Sequence, residues 1–194
     1  MRSFKYPNPR IEKKMDIRFL VALLPAVFIF HDFEEIIMFK PWLEKNRAEI
    51  KQRFPRIDTL FKNHVDGLST SAFVIAVLHE FFILALVTYL SLYFNSYRWW
   101  YATFIAFSIH LLVHIAQWLI FGKYVPFILT SILALPYCVY VLIQFLKITD
   151  MTLGQLLFWA GLGIILTIVS LVPAFFLAFR FEHWKNRIFL QRVG

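Results

Sequence analysis

An acidic cluster inside an otherwise apolar helix limits what this chain can fold into more than any other feature. Residues 19–30 contain no charged side chain, and the sequence His-Asp-Phe-Glu-Glu follows directly at 31–35. A helix needs about 20 apolar residues to cross a bilayer, so the first predicted span, residues 17–39, must include this cluster. A carboxylate at the centre of a span costs roughly 2.5–3.5 kcal/mol. The cluster therefore requires a compensating partner, and we predict that this partner is a bound metal ion.

The composition indicates that the whole chain is an integral membrane protein. Of its 194 residues, 60% are hydrophobic and only 16% are charged, whereas soluble domains have about 45–50% apolar and about 25% charged residues. The predicted fold is an all-α, polytopic membrane helical bundle that forms one domain over residues 1–194. The net charge of +8 favours contact with anionic lipid head groups over nucleic acid. We expect a multi-pass protein of the bacterial plasma membrane.

Five transmembrane helices and one interfacial helix are predicted from the apolar runs. The connections at 95–98, 122–123 and 148–152 are short, so neighbouring helices should run antiparallel. Residues 41–66 are rich in Lys and Arg, and the apolar residues after Pro55 recur at helical spacing, which predicts an amphipathic helix on the membrane surface. The positive-inside rule favours a cytoplasmic C-terminus. The predicted spans are 17–39, 69–94, 99–121, 124–147 and 153–180.

Histidines and glutamates of the first three spans are predicted to occupy one layer of the membrane. A helix turns by about 100° per residue, so His31, Glu34 and Glu35 share one face of the first span. His110 and His114 likewise share one face of the third span, and such an i, i+4 pair is typical of metal sites. All these groups lie roughly 6–17 Å below the membrane surface on the side of the interfacial helix. The predicted metal ligands are His31, Glu34, Glu35, His79, Glu80, His110 and His114.

The number and type of these side chains favour two metal ions. A mononuclear zinc site uses about three or four protein ligands, whereas two ions about 3.5–4 Å apart can share a bridging carboxylate. Mixed nitrogen and oxygen ligation fits Zn, Fe or Mn, so the predicted cofactor is divalent zinc or iron. Asp32 and Gln117 are predicted to support the ligands through hydrogen bonds. Proton transfer is assigned to Glu34, Glu80 and Asp32, and substrate contacts are assigned to Thr130, Ser131 and His64.

Two other interpretations of the same residues stay open. A hydrogen-bonded network of His and Glu would neutralise the helices without a metal. A proton or cation path is the second alternative, because intramembrane acids and histidines also mark relays and transport sites. A path should carry polar residues through both leaflets, whereas residues 19–30 and 82–90 are almost wholly apolar. This asymmetry favours a pocket that opens on one side.

The leading hypothesis is a membrane-embedded metal-dependent enzyme that acts on a lipid or lipid-linked substrate. With zinc, the expected reaction is hydrolysis or group transfer by a water molecule whose pKa falls to about 7. With iron, the same ligands fit oxidation, which we favour less. The expected partner is a membrane lipid, which the basic segment 41–66 would attract if it is anionic. The alternative function is a non-catalytic transporter or sensor of metal ions or protons.

Two motifs resemble those of the HXXEE-domain family of small integral membrane proteins. The first is the His-Asp-Phe-Glu-Glu sequence at 31–35, and the second is His-Leu-Leu-Val-His at 110–114, which is similar to the family's His-x-x-x-His region. The resemblance implies a membrane protein that is regarded as enzymatic and whose reaction is unknown. The family also has an Asn-x-x-x-Glu motif, and Glu80 would be its acid. The Asn position of that motif is Ala76 in this chain.

Overall fold

The fold is entirely helical in the part of the chain that the structure, a computed structural model, describes. This part is residues 17–190, without the side chains at positions 60, 63, 64 and 190. Residues 17–22 are helical and join the first long helix at a single turn residue, Leu23. The helices that follow are α1 (Leu24–Arg53), α2 (Pro55–His64), α3 (Thr70–Phe94), α4 (Arg98–Phe121), α5 (Ile128–Ile148) and α6 (Leu153–Leu190). The predicted all-α helical bundle is confirmed; the predicted single domain also includes 1–16 and 191–194, which lie outside the described residues.

Four helices are long and apolar enough to cross a membrane, namely α3, α4, α5 and α6. They correspond to the second to fifth predicted spans, and α6 continues past the predicted end at residue 180. The chain is therefore a membrane protein with four candidate spans in its described part. Helix α1 is not among these four, because its acidic cluster makes it less apolar. The first predicted span, residues 17–39, therefore stays a prediction.

Helix α1 is longer than the sequence predicted. We expected a span that ended near residue 39 and a polar connection from Pro41, but the helix continues through Pro41 to its end at residue 53. Pro41 removes one backbone donor from the helix. Leu43 and Ile50, about half a turn and two and a half turns later, are buried in a cluster with Phe121, and this tertiary packing outweighs the lost hydrogen bond. The predicted interfacial segment 41–66 is thus divided between the end of α1 and the short helix α2.

The spans are held together by close helix packing as well as by apolar side chains. Helix α6 packs along both α3 and α4, and α1 packs against α3 and α5. A Cβ atom on Gly163 would lie 2.1 Å from the carbonyl oxygen of Ala102, so α6 and α4 approach at backbone distance there. Gly161 has open space around it. The close approach of the two helices therefore depends on Gly163 and not on Gly161.

Polar contacts fix the interfacial end of α1 to the neighbouring loop. The guanidinium of Arg53 donates to the carbonyl oxygens of Phe121 at 2.9 Å and Ile120 at 3.2 Å, where helix α4 ends. The indole nitrogen of Trp42 donates to the carbonyl oxygen of Tyr124 at 2.8 Å. The loop that leads into α5 is therefore held against α1, which positions the first turn of α5 beside the acidic cluster.

Candidate metal centre

Two pairs of side chains face each other, one pair on α1 and one on α4. Residues one turn apart on a helix share a face, and this applies both to His31 with Glu35 and to His110 with His114. One nitrogen or oxygen atom of each of the four side chains lies within 4.8 Å of those of the other three. Between residues 17 and 190 this is the one group of three or more His, Cys, Asp or Glu side chains that meets so closely. The structure thus brings together four of the seven predicted ligands.

Two of the four side chains are buried, and the other two, Glu35 and His110, are half-buried. The ring of His31 has its centroid 5.4 Å from that of His110 and 5.2 Å from that of His114. His31 is fully buried and His114 is 5% exposed. A cluster so enclosed has little access to bulk water, and its polar atoms depend on each other and on neighbouring side chains for hydrogen bonds.

The donor set fits one divalent metal ion. Three imidazole nitrogens and one carboxylate oxygen are typical of zinc and iron sites. Nε2 of His31 is buried and has no hydrogen-bond partner among the described residues, so its lone pair is available. Nε2 of His110 lies 2.8 Å from Nε2 of His114, whereas tetrahedral zinc with bonds of about 2.0–2.1 Å separates its ligands by about 3.3 Å. An ion therefore requires these two nitrogens to move about half an ångström further apart.

Thr130 and Glu34 fix the tautomer of His31. The hydroxyl of Thr130 donates to Oε2 of Glu34 at 2.6 Å, so it accepts a hydrogen bond from Nδ1 of His31 at 3.0 Å. With the proton on Nδ1, Nε2 of His31 keeps a free lone pair that faces the cluster. This is the state that a metal-binding histidine needs, and such supporting hydrogen bonds orient histidine ligands in metalloproteins.

Gln117 has the same role for His114. Nδ1 of His114 donates to Oε1 of Gln117 at 2.9 Å, which again leaves the lone pair on Nε2. The sequence predicted that Gln117 supports a ligand through a hydrogen bond, and the structure provides that contact.

Glu34 lies outside the cluster, although the sequence predicted that it is a ligand. Its Oε1 accepts from the hydroxyl of Tyr124 at 2.8 Å, and its Oε2 accepts from the backbone nitrogen of Thr130 at 2.8 Å. Thr130 is the third residue of α5, whose N-cap residue Phe127 provides no side-chain hydrogen bond. The orphan donors and the dipole at a helix N-terminus attract a carboxylate, which explains why Glu34 turns to α5. Thr130, whose substrate contact stays a prediction, links Glu34 to His31.

His79 and Glu80 do not join the cluster either. Nδ1 of His79 lies 3.3 Å from Oε1 of Glu80, and Oε2 of Glu80 accepts from the hydroxyl of Ser170 at 2.9 Å. Successive residues on a helix point about 100° apart, so this pair on α3 cannot direct both side chains at the α1–α4 cluster. The predicted seven-ligand, two-ion arrangement is therefore not assembled, and the four clustered side chains provide for one ion.

The other predicted site residues have different surroundings. Asp32 is 3% exposed, and its Oδ2 has no hydrogen-bond partner among the described residues. The hydroxyl of Ser131 is also buried and has no such partner in this part of the chain. The side chain of His64, predicted to contact substrate, lies outside the described residues.

A cavity of about 460 Å³ adjoins the cluster. His110 and Glu35 line it, together with Asp32 and Glu80, and its other walls come largely from apolar side chains of α3, α4 and α6. Along α4 the lining extends from His110 to Trp99, which is about 16 Å of helix. The sequence analysis predicted α6 as a span but missed its contribution to this cavity, because Ser170 and the small residues around it are isolated in an apolar run and follow no motif.

The comparisons with known proteins identify a family and no activity. The model of a family described as "Protein of unknown function with HXXEE motif" matches residues 22–141. No curated protein matches the chain, and no solved structure does. The match covers more than half of the chain and includes the acidic cluster, both histidines of α4, and Thr130. The chain therefore belongs to the HXXEE family.

Proposed function

We propose that this protein is a membrane-embedded, metal-dependent enzyme that acts on a lipid or lipid-linked substrate. The observation that carries the proposal is the group of three histidines and one glutamate, two of which line an apolar cavity. Ligand pockets are typically apolar with a few convergent polar groups. The candidate metal site and the apolar cavity share two residues, Glu35 and His110. This overlap supports a single reaction centre.

The proposed cofactor is zinc or iron(II), held by His31, Glu35, His110 and His114. Such an ion polarises a carbonyl or phosphoryl group and activates water. Outside this set, Thr130 and Gln117 hold two of the imidazoles in the tautomer that leaves Nε2 free. Hydrolysis or group transfer is favoured over oxidation by two iron ions, because the described residues assemble ligands for one ion only.

The substrate's apolar chain would occupy the cavity, and its reacting linkage would lie beside Glu35 and His110. Asp32 and Glu80 line the same cavity and are the proposed groups for proton transfer to or from the linkage. Glu34 is less suited to that role, because three hydrogen bonds already occupy its two oxygens.

Transport of ions or protons is the alternative that the cavity disfavours. Its ionisable lining residues are confined to the neighbourhood of the cluster, on α1, α3 and α4. From Glu80 to Trp99 the lining contains hydroxyl and apolar side chains, and no ionisable group among the described residues. A transport path needs polar stations through the whole membrane, so this one-sided arrangement supports a reaction site.

Metal content is the decisive measurement for the proposal. We expect protein purified without chelator to contain one zinc or iron ion per chain by inductively coupled plasma mass spectrometry. His114→Ala should abolish this metal, whereas His79→Ala, a predicted ligand that the structure places outside the cluster, should retain it. Wild-type protein without metal, or equal metal in wild type and His114→Ala, would contradict the proposal.

Catalysis is tested separately with lipids. Metal-loaded protein in nanodiscs should consume a lipid from a total membrane lipid extract, as detected by untargeted mass spectrometry, and chelator-treated protein should not. Reconstitution with the same ion should restore the change. A lipid profile that is identical with and without metal would argue for a sensor or transporter.

A further inference from the structure

Helix α6 crosses α4 and α3 at close range, at two points about three turns apart. At the α4 crossing, a Cβ added to Gly163 would lie 2.1 Å from the carbonyl oxygen of Ala102. At the α3 crossing, Ala174 is buried in one cluster with Ala72 and Ala76. Both contacts use residues with little or no side chain, so the helices approach closely at these points.

The cavity beside the metal centre lies between these two crossings. Its lining residues on α6 extend from Gly163 to Phe175, so they begin at the α4 crossing and end at the α3 crossing. The facing residues of α4 extend from Trp99 to His110. The ring of Trp99 also lies 4.8 Å from that of Trp159 on α6, one turn before Gly163. The close contacts of α6 therefore limit the cavity along the helix direction.

The cavity is narrow as well as limited in length. Its volume of about 460 Å³ over about 16 Å of helix gives a mean cross-section of about 29 Å². This is room for one alkyl chain, and two chains side by side do not fit. Empty apolar space loses dispersion contacts, and water fills a cavity only where polar partners are present. Hydrocarbon is therefore the expected occupant of the apolar part.

We propose that the cavity holds a single unbranched apolar chain, and that the α4 crossing at Gly163 limits the length of this chain. The polar end of the ligand would lie near His110 and near Ser170, whose hydroxyl donates to Glu80 at 2.9 Å. The chain would extend from there between α3, α4 and α6 towards Trp99. The inference names the substrate class of the proposed function and rests on it for any reaction, whereas binding rests on the cavity alone.

The helix geometry gives the expected chain length. From Ser170 to Gly163 is about 10 Å of helix, and from His110 to Trp99 is about 16 Å. An extended alkyl chain advances about 1.25 Å per carbon, given C–C bonds of about 1.5 Å. These distances therefore correspond to a chain of about 8–13 carbons.

Photolabelling of the full-length protein in phosphatidylcholine nanodiscs tests the inference. The probe is dodecanol with a diazirine group at its terminal carbon, and peptide mass spectrometry locates the label. We expect the label on the residues around Ala102 and Gly163, because the end of the chain lies at the α4 crossing.

Unlabelled alkanols then measure the length limit by competition with this probe. Each alkanol is present at the same mole fraction of the nanodisc lipid, since the hydrocarbon of the bilayer is as apolar as the cavity wall. Decanol and dodecanol should compete equally, because each carbon that fits exchanges one apolar environment for another. Octadecanol should compete at least about tenfold more weakly, because a chain that passes the crossing must force the helices apart.

A larger side chain inside the cavity provides a second measurement. Ala106 lines the cavity on α4 between Trp99 and His110, so Ala106→Leu should lower labelling at the crossing about tenfold. Ala116→Leu makes the same change at an exposed position of α4 outside the lining and should be labelled like wild type.

Three results would overturn the inference. Equal competition by octadecanol and dodecanol in wild-type protein would do so without any variant, even if Ala106→Leu fails to fold. Label that is absent from the residues around Ala102 and Gly163 would do so as well. Undiminished labelling of a folded Ala106→Leu variant would show that the chain binds elsewhere.

Metal content and photolabelling separate this inference from the proposed function. A protein that never contains metal but is labelled at the crossing, with the expected length limit, would remove the enzyme proposal and leave the chain site intact. A metal-containing protein in which octadecanol competes as well as dodecanol would remove the length limit and leave the metal centre intact.

Discussion

The buried cluster between α1 and α4 contrasts with the charged layer formed by the end of α1, by α2 and by the adjoining loop. In the charged layer, acidic and basic side chains are paired with each other. The pairs are Arg47–Asp58, Arg47–Asp66, Arg53–Glu49, Lys62–Asp58 and Lys123–Glu49. In the buried cluster, Nε2 of His31 and Oδ2 of the neighbouring Asp32 have no partner among the described residues.

The two regions therefore differ in whether their polar side chains have partners within the protein. Apart from the buried Asp58, the partners in these ion pairs are exposed or half-buried, and exposed pairs stabilise a protein weakly. The pairs fix the position of α2 and of the loop before α5. Buried polar groups without partners are costly, and a fold retains them where they serve a ligand. The pairing also leaves fewer free basic side chains in segment 41–66 to attract anionic lipid than its composition predicted.

Loss of a proposed ligand in the buried cluster should give the largest fall in metal affinity. We expect His31→Ala to weaken metal binding by more than the roughly 10–100-fold that is typical for loss of a supporting residue, because it removes a direct nitrogen ligand. Competition with a coloured chelator measures the affinity. Asp66→Asn in the charged layer is the control and should leave it unchanged. Equal affinities in the two variants would abolish the distinction between the regions.

Removal of the hydroxyl that orients His31 should have the next largest effect. Thr130→Val keeps the shape of the side chain but removes the link to Glu34, so metal affinity should fall roughly 10–100-fold. The same chelator competition applies, and Ser131→Ala, an adjacent buried hydroxyl without such a link, is the matched control. If Thr130→Val binds metal as tightly as wild type, the tautomer of His31 is fixed by something else.

Helix packing around the cavity should respond to a single methyl group. Gly163→Ala directs a Cβ at the carbonyl oxygen of Ala102, and such overpacking typically costs about 1–3 kcal/mol. Thermal unfolding in detergent, followed by intrinsic fluorescence, should show a lower midpoint. Gly161→Ala, which has no atom within 4 Å of its added Cβ, should unfold like wild type. The interpretation fails if the two variants behave alike.

Low pH should lower the stability of the folded state by a small amount through the charged layer. Hydrogen bonding from Lys62 holds the pKa of Asp58 below its ordinary value of 3.8. A depressed pKa stabilises the folded state above the unfolded value, and this contribution is lost as pH falls through the folded pKa. Unfolding midpoints should therefore lose the Asp58 contribution only below about pH 4, and Asp58→Asn should lack that part of the acid response. An equal loss in both proteins would show that Asp58 is not involved.

Much of this architecture was predictable, because hydrophobic length and helical spacing are local properties of the chain. The four apolar runs gave α3 to α6 to within a few residues at most ends. The i, i+4 spacing of His110 with His114, and the shared face of His31 and Glu35, identified the four side chains that meet. The end of α1 was not predictable from Pro41, since Leu43 and Ile50 extend the helix by packing against a residue far along the chain.

The sequence by itself determined that acids and imidazoles lie inside a helical membrane bundle, since their spacing places them on common helix faces. Only the tertiary structure decided which of them meet. Glu34 and Glu35 are adjacent in sequence, yet one faces the histidines and the other caps α5 through Thr130, 96 residues away. Helical geometry sets the direction of a side chain. The hydrogen-bond donors that it meets come from whichever helix packs against that face.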